Sequence, residues 1–67
     1  MNYGRSMREA RLRAGLTLRE LGEKSGISFA SISRIESNKR GATIALIVPL
    51  ADALGLTVDE YIGRTPI

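Results

Sequence analysis

Residues 17–36 read Thr-Leu-Arg-Glu-Leu-Gly-Glu-Lys-Ser-Gly-Ile-Ser-Phe-Ala-Ser-Ile-Ser-Arg-Ile-Glu. Thr17 is a good helix N-cap, and Glu20 three residues later completes a capping box, in which each side chain bonds the other residue's backbone N–H. Leu18, Leu21 and Ser25 then mark the inner face of a two-turn helix. Gly26 follows at once, and glycine takes positive φ at little steric cost, so the chain turns sharply there. Ser28 is placed to cap a next helix, whose inner face is Ile32 and Ile35. A link of about three residues forces two helices to cross steeply and not lie antiparallel. The second helix of the pair is thereby propped on the first with its outer face exposed.

The same signals continue on both sides. Met7, Ala10 and Ala14 stand at helical spacing over Arg5–Ala14, and Gly15 stops that helix. Residues Ser37 to Gly41 form a polar loop. Thr43 is expected to cap a fourth helix running to Leu54, ended by Gly55. Thr57 caps a fifth, which carries Val58, Tyr61 and Ile62, with Glu60 completing a second capping box. Gly63–Ile67 reads as a tail without a structural stop, which leaves open that the chain is part of a longer protein. No segment alternates polar and apolar residues as a strand does. The expected fold is all-α, a compact five-helix bundle forming one domain over residues 1–67.

Composition narrows the function. The 67 residues contain no cysteine and no histidine. Disulfides are excluded, and a zinc site built from carboxylates alone is improbable. No base or nucleophile pair stands out: the serines have no base to activate them, and Asp59-Glu60 suits the positive end of a helix dipole. No enzymatic activity and no cofactor are expected. The longest apolar run, Ala42–Ala51, is about half of what a membrane span needs, and the N-terminus lacks a signal-peptide core. A cytoplasmic protein is the simplest context. Nine Lys or Arg against four acids fall in residues 1–40, while residues 41–67 hold one against three. A basic half joined to an acidic, apolar half suggests a polyanion-binding face and a separate partner face; an unevenly charged solvated surface is the plainer alternative.

The pattern resembles the phage-repressor and Cro type of helix-turn-helix protein, a lambda-repressor-like fold. The matching residues are Arg11, Gly15-Leu16-Thr17, Glu20-Leu21, Gly26-Ile27-Ser28, Ile32-Ser33-Arg34-Ile35-Glu36, Lys39-Arg40, Leu50-Ala51, Ala53-Leu54-Gly55 and Val58-Asp59-Glu60. They run from about Met7 to Ile62 in one register without a gap. The resemblance implies that the third helix lies in the major groove of duplex DNA. It places Phe29, Ala30, Ser33 and Arg34 against base edges. Packing remains the alternative for Phe29, and a phosphate contact for Arg34. Thr17, Arg19, Ser28, Ser31, Asn38, Lys39 and Arg40 are the expected phosphate contacts, which position the protein without reading sequence. Arg11 and Glu36 match an ion pair that bridges the first helix to the end of the third in relatives. Two positions depart from the family pattern. Leu18 stands where many members have a phosphate-binding glutamine, and Gly22 where many have alanine.

The fourth helix carries more apolar surface than one core stripe needs. Ile44, Ile47, Leu50, Ala51 and Leu54 fit an inner face, which leaves Ala45, Leu46, Val48 and Pro49 over. With Tyr61, these four are the expected homodimer interface, within residues 43–62. Pro49 lacks the N–H that would bond Ala45, so a kink or local opening is expected there. Two functions fit. One is a sequence-specific transcriptional regulator, a repressor or controller, bound as a homodimer to a near-palindromic operator. The other is an antitoxin-type module that holds a toxin partner and autoregulates. A non-specific nucleic-acid binder would favour more Lys and Arg on the groove face.

Overall fold

In the computed structural model, residues 3–63 are described. Thr17 Oγ1 accepts from the Glu20 N–H at 3.1 Å, and Glu20 Oε1 accepts from the Thr17 N–H at 2.9 Å. This capping box opens helix α2, Leu18–Ser25. The same reciprocal bonds between Thr57 and Glu60 open helix α5, Val58–Ile62. Between α2 and helix α3, Phe29–Glu36, Gly26 adopts φ 77°, the left-handed conformation that a sharp turn demands. Ser28 caps α3 by accepting from the Ser31 N–H. Helix α1 spans Gly4–Arg13 and helix α4 Ile44–Leu54. Every regular element among the described residues is helical.

The helices surround one core. Met7, Leu21, Ile32, Leu50 and Tyr61 are fully buried in it, with Ala10, Ile35, Ile47, Ala51 and Ile62 beside them. Helix α2 packs on α3 and α4, α1 on α3 and α5, and α4 on α5. The α2–α3 crossing is tight because residue 22 has no side chain. A Cβ there would stand 2.9 Å from the Ile27 carbonyl oxygen and 3.4 Å from the Phe29 nitrogen.

Several expectations are corrected. Helix α1 begins at Gly4 and ends at Arg13, one residue earlier at each end than the apolar spacing predicts. Its start is held from 34 positions away, where Asn38 Oδ1 accepts from the Gly4 N–H at 3.1 Å. Ile44 does not face inward: it is 65% exposed. Thr43 sits at the N-cap of α4 in extended conformation, but its side chain makes no cap bond. Helix α4 runs through Pro49 without a break, and Ala45, whose carbonyl the proline leaves unbonded, is exposed to water. Tyr61 is not a partner-surface residue. The two helices that flank α5, α1 and α4, close over its ring completely.

No helix of the described residues is long and apolar enough to cross a membrane. Of the expected tail Gly63–Ile67, residues 64–67 lie outside the described residues.

Candidate nucleic-acid interface

Helix α3 has two faces set by its spacing. Ile32 and Ile35 point into the core, while Phe29, Ala30, Ser33, Arg34 and Ser37 are exposed on the other side. These five recur at intervals of one, three, one and three residues, so they share one stripe. The stripe is an aromatic ring, a methyl group, a hydroxyl and a guanidinium. The Ser37 hydroxyl turns back to donate to the carbonyls of Ser33 and Arg34.

What fixes the angle of α3 is buried. Arg11 Nε donates to Glu36 Oε2 at 2.9 Å and Nη2 to Glu36 Oε1 at 3.0 Å, a bidentate pair. The side chains are 9% and 5% exposed. Arg11 Nη1 donates further to the Leu16 carbonyl at 2.9 Å. One guanidinium thus ties α1, the α1–α2 link and the end of α3 together. The hydrogen bond to Glu36 raises the Arg11 pKa, against the opposing effect of burial. Burial likewise pushes the nearby Tyr61 hydroxyl up, and the Glu36 charge adds to that.

The polar residues flanking the stripe fall into two groups. At the start of α3, the Ser28 hydroxyl donates to Ser31 Oγ at 3.0 Å, and Arg40 Nη1 donates to the same oxygen at 3.3 Å. The Ser28–Ser31–Arg40 chain brings a cation from the α3–α4 loop to the N-terminal end of α3. At the start of α2, Thr17 Oγ1 accepts from the Glu20 N–H. The Glu20 carboxylate is held below the usual range, first by the Thr17 backbone N–H and then by the Thr17 side chain, so it stays ionised beside those donors. Asn38 has its side-chain oxygen occupied by α1 and its backbone at φ 62°; its amide NH₂ is what remains for an anion. Lys39 is exposed.

Arg19 does not stand alone. Its guanidinium carbon lies 5.4 Å from the centroid of the Phe29 ring. Phe29 is 49% exposed, so half of the residue is covered and half is open to solvent. The sequence reading passed over Arg8. It lines a groove of about 270 Å³ together with Arg11, Leu18, Ser33, Glu36 and Ser37. Its spacing from Arg11, three positions along one helix, was the available signal. On α4, Ile44, Ala45 and Val48 are exposed, while Leu46 and Pro49 are half-buried. Among the described residues no group of His, Cys, Asp and Glu is arranged to hold a metal ion.

Known proteins share this plan. A helix-turn-helix family model matches residues 7–61. The HTH-type transcriptional repressor RghR of Bacillus subtilis (strain 168) is 44% identical over 59 residues, which cover 87% of this chain and 44% of that protein. The chain therefore spans less than half the length of the curated relative it matches. No solved structure matches. The matched span takes in all but the edges of the five-helix core, including the capped α2, the left-handed Gly26 turn and the exposed stripe of α3, so the chain belongs to the helix-turn-helix family of the phage-repressor and Cro type.

Proposed function

We propose that the chain is a sequence-specific regulator of transcription that lays α3 in the major groove of duplex DNA. The observation that carries this is the exposed stripe of α3, set at a fixed angle by the buried Arg11–Glu36 pair. Arg34 suits guanine O6 and N7, a bidentate contact worth about 1–3 kcal/mol of discrimination. Phe29 and Ala30 suit thymine methyls, and Ser33 is a short donor and acceptor. Ser28, Ser31 and Arg40, together with Arg19, Asn38 and Lys39, surround the stripe with donors for phosphate. A named relative is a transcriptional repressor, which favours the same class of function here.

The exposed apolar face of α4 supports a homodimer. Two copies of α3 would then stand one turn of DNA apart, about 34–36 Å, over a near-palindromic operator. The same face supports the second reading, a module that holds a different protein. A selection from random duplexes with the purified chain tests the proposal. The expected product is a short motif repeated in inverted orientation. A pool that enriches no motif would reject the reading.

A further inference from the structure

The Arg19–Phe29 contact points beyond phosphate binding. We propose that the two side chains act as one reader of a base step, a thymine and a guanine in adjacent base pairs. This rests on α3 lying in the major groove.

Arg19 is the second residue of α2 and Phe29 the first of α3, so they meet where the two helices cross. At 5.4 Å the guanidinium carbon is inside the range in which a ring face attracts a cation. Gly22 makes the meeting possible, because any side chain there would push the start of α3 away from α2. The ion pairs among the described residues are Arg5–Glu9, Arg13–Glu9 and Arg11–Glu36, so none involves Arg19. Glu20, its neighbour in sequence, is turned to the Thr17 N–H. Among the described residues no ion pair or hydrogen bond is made by the Arg19 guanidinium, so its in-plane N–H groups are uncommitted there. The half-exposed phenyl ring opens onto a shallow groove lined by Arg19, Gly22, Glu23, Ile27 and Ser28.

An aromatic ring orients a guanidinium as well as attracting its charge. A guanidinium held there keeps its flat fork of donors at one position, and that fork matches guanine O6 and N7. The phenyl beneath it is apolar and matches the thymine methyl, which projects into the same groove. With the guanidinium carbon 5.4 Å from the ring centroid, the two bases they would read are neighbours.

Three random-site selections test this, with the unaltered chain, Arg19→Lys and Phe29→Leu; thermal melts establish that the variants fold. Lysine keeps the charge and any phosphate contact but lacks the fork. Arg19→Lys is expected to erase one guanine preference, a loss of about 5- to 140-fold in discrimination at that position. The slope of affinity against salt should stay the same, since the charge is kept. Phe29→Leu should weaken the preference for the adjacent thymine. Replacing that thymine by uracil, which removes one methyl, should weaken binding of the unaltered chain about fourfold. An unchanged motif for Arg19→Lys, or full-strength binding of the uracil duplex, overturns the proposal and returns Arg19 to phosphate. If the unaltered chain enriches no motif, the DNA-reading proposal itself is what has failed.

Discussion

Arg11 bonds three acceptors at once, two on Glu36 and one on Leu16. Removing it leaves the Glu36 carboxylate buried without a partner, which typically costs about 3–5 kcal/mol. Arg11→Ala should therefore lower the melting temperature more than alanine at Arg5, Arg8, Arg13, Arg19, Arg34 or Arg40, all exposed. Replacing both partners at once, Arg11→Met with Glu36→Leu, should cost much less, because no charge is stranded. A melt series that places Arg11→Ala among the neutral variants contradicts this assignment. Glu20 and Glu60 respond to acid in a definite direction. Backbone N–H groups of Thr17 and Thr57 hold both carboxylates below their ordinary value of 4.5. Ionised, they stabilise the fold at every pH above that value, and the contribution is lost as pH falls through the lowered one. A Glu20→Gln, Glu60→Gln double variant should melt lower than the unaltered chain at neutral pH, and the gap should close in melts taken below about pH 4.5, where the unaltered carboxylates are protonated as well.

At the scale of the element, Gly22 sets two effects against each other. In an exposed helix interior, alanine in place of glycine gains about 1 kcal/mol. Here the added Cβ would lie 2.9 Å from a backbone oxygen that cannot swing aside. Gly22→Ala should therefore melt lower than the unaltered chain and bind its selected duplex more weakly, because α3 is displaced. A higher melting temperature with unchanged binding would show that α2 and α3 can slide apart freely. The α2–turn–α3 unit was legible in the sequence because its determinants are local: a capping box four residues long, a glycine at the turn, a serine cap. The elements read less well are those whose determinants are distant. The start of α1 depends on Asn38, 34 positions away. In α4 the apolar stripe is visible as spacing, but spacing does not say where the core beneath it ends, so Ile44 was misassigned to the inside. Tyr61 looks amphipathic in isolation, and only the packing of α5 on both α1 and α4 buries it. The exposed stripe of α3 was legible once that helix was placed, whereas the Arg19–Phe29 contact was not, since it joins two helices through a glycine that lets them approach.

At the scale of the whole molecule, the chain has two unlike surfaces. One carries the exposed stripe of α3 and the cations around it. The other carries Ile44 and Val48, 65% and 38% exposed, on a helix whose only charged residue is Asp52. A chain of 67 residues buries a small core, and covering this second surface with another copy would add to it while pairing the reading helices. The variants that test the dimer must spare the core. Leu46 packs partly against it, so an aspartate there would confound unfolding with dissociation. Ile44 and Val48 are exposed enough to carry a charge without loss of fold. Ile44→Asp with Val48→Asp should sediment as a monomer and keep its helical circular dichroism. Its affinity for the full inverted repeat should fall to near that for a half-site, because the second reader no longer arrives already tethered. An unchanged sedimenting mass in the double variant would count against this face as a contact between copies.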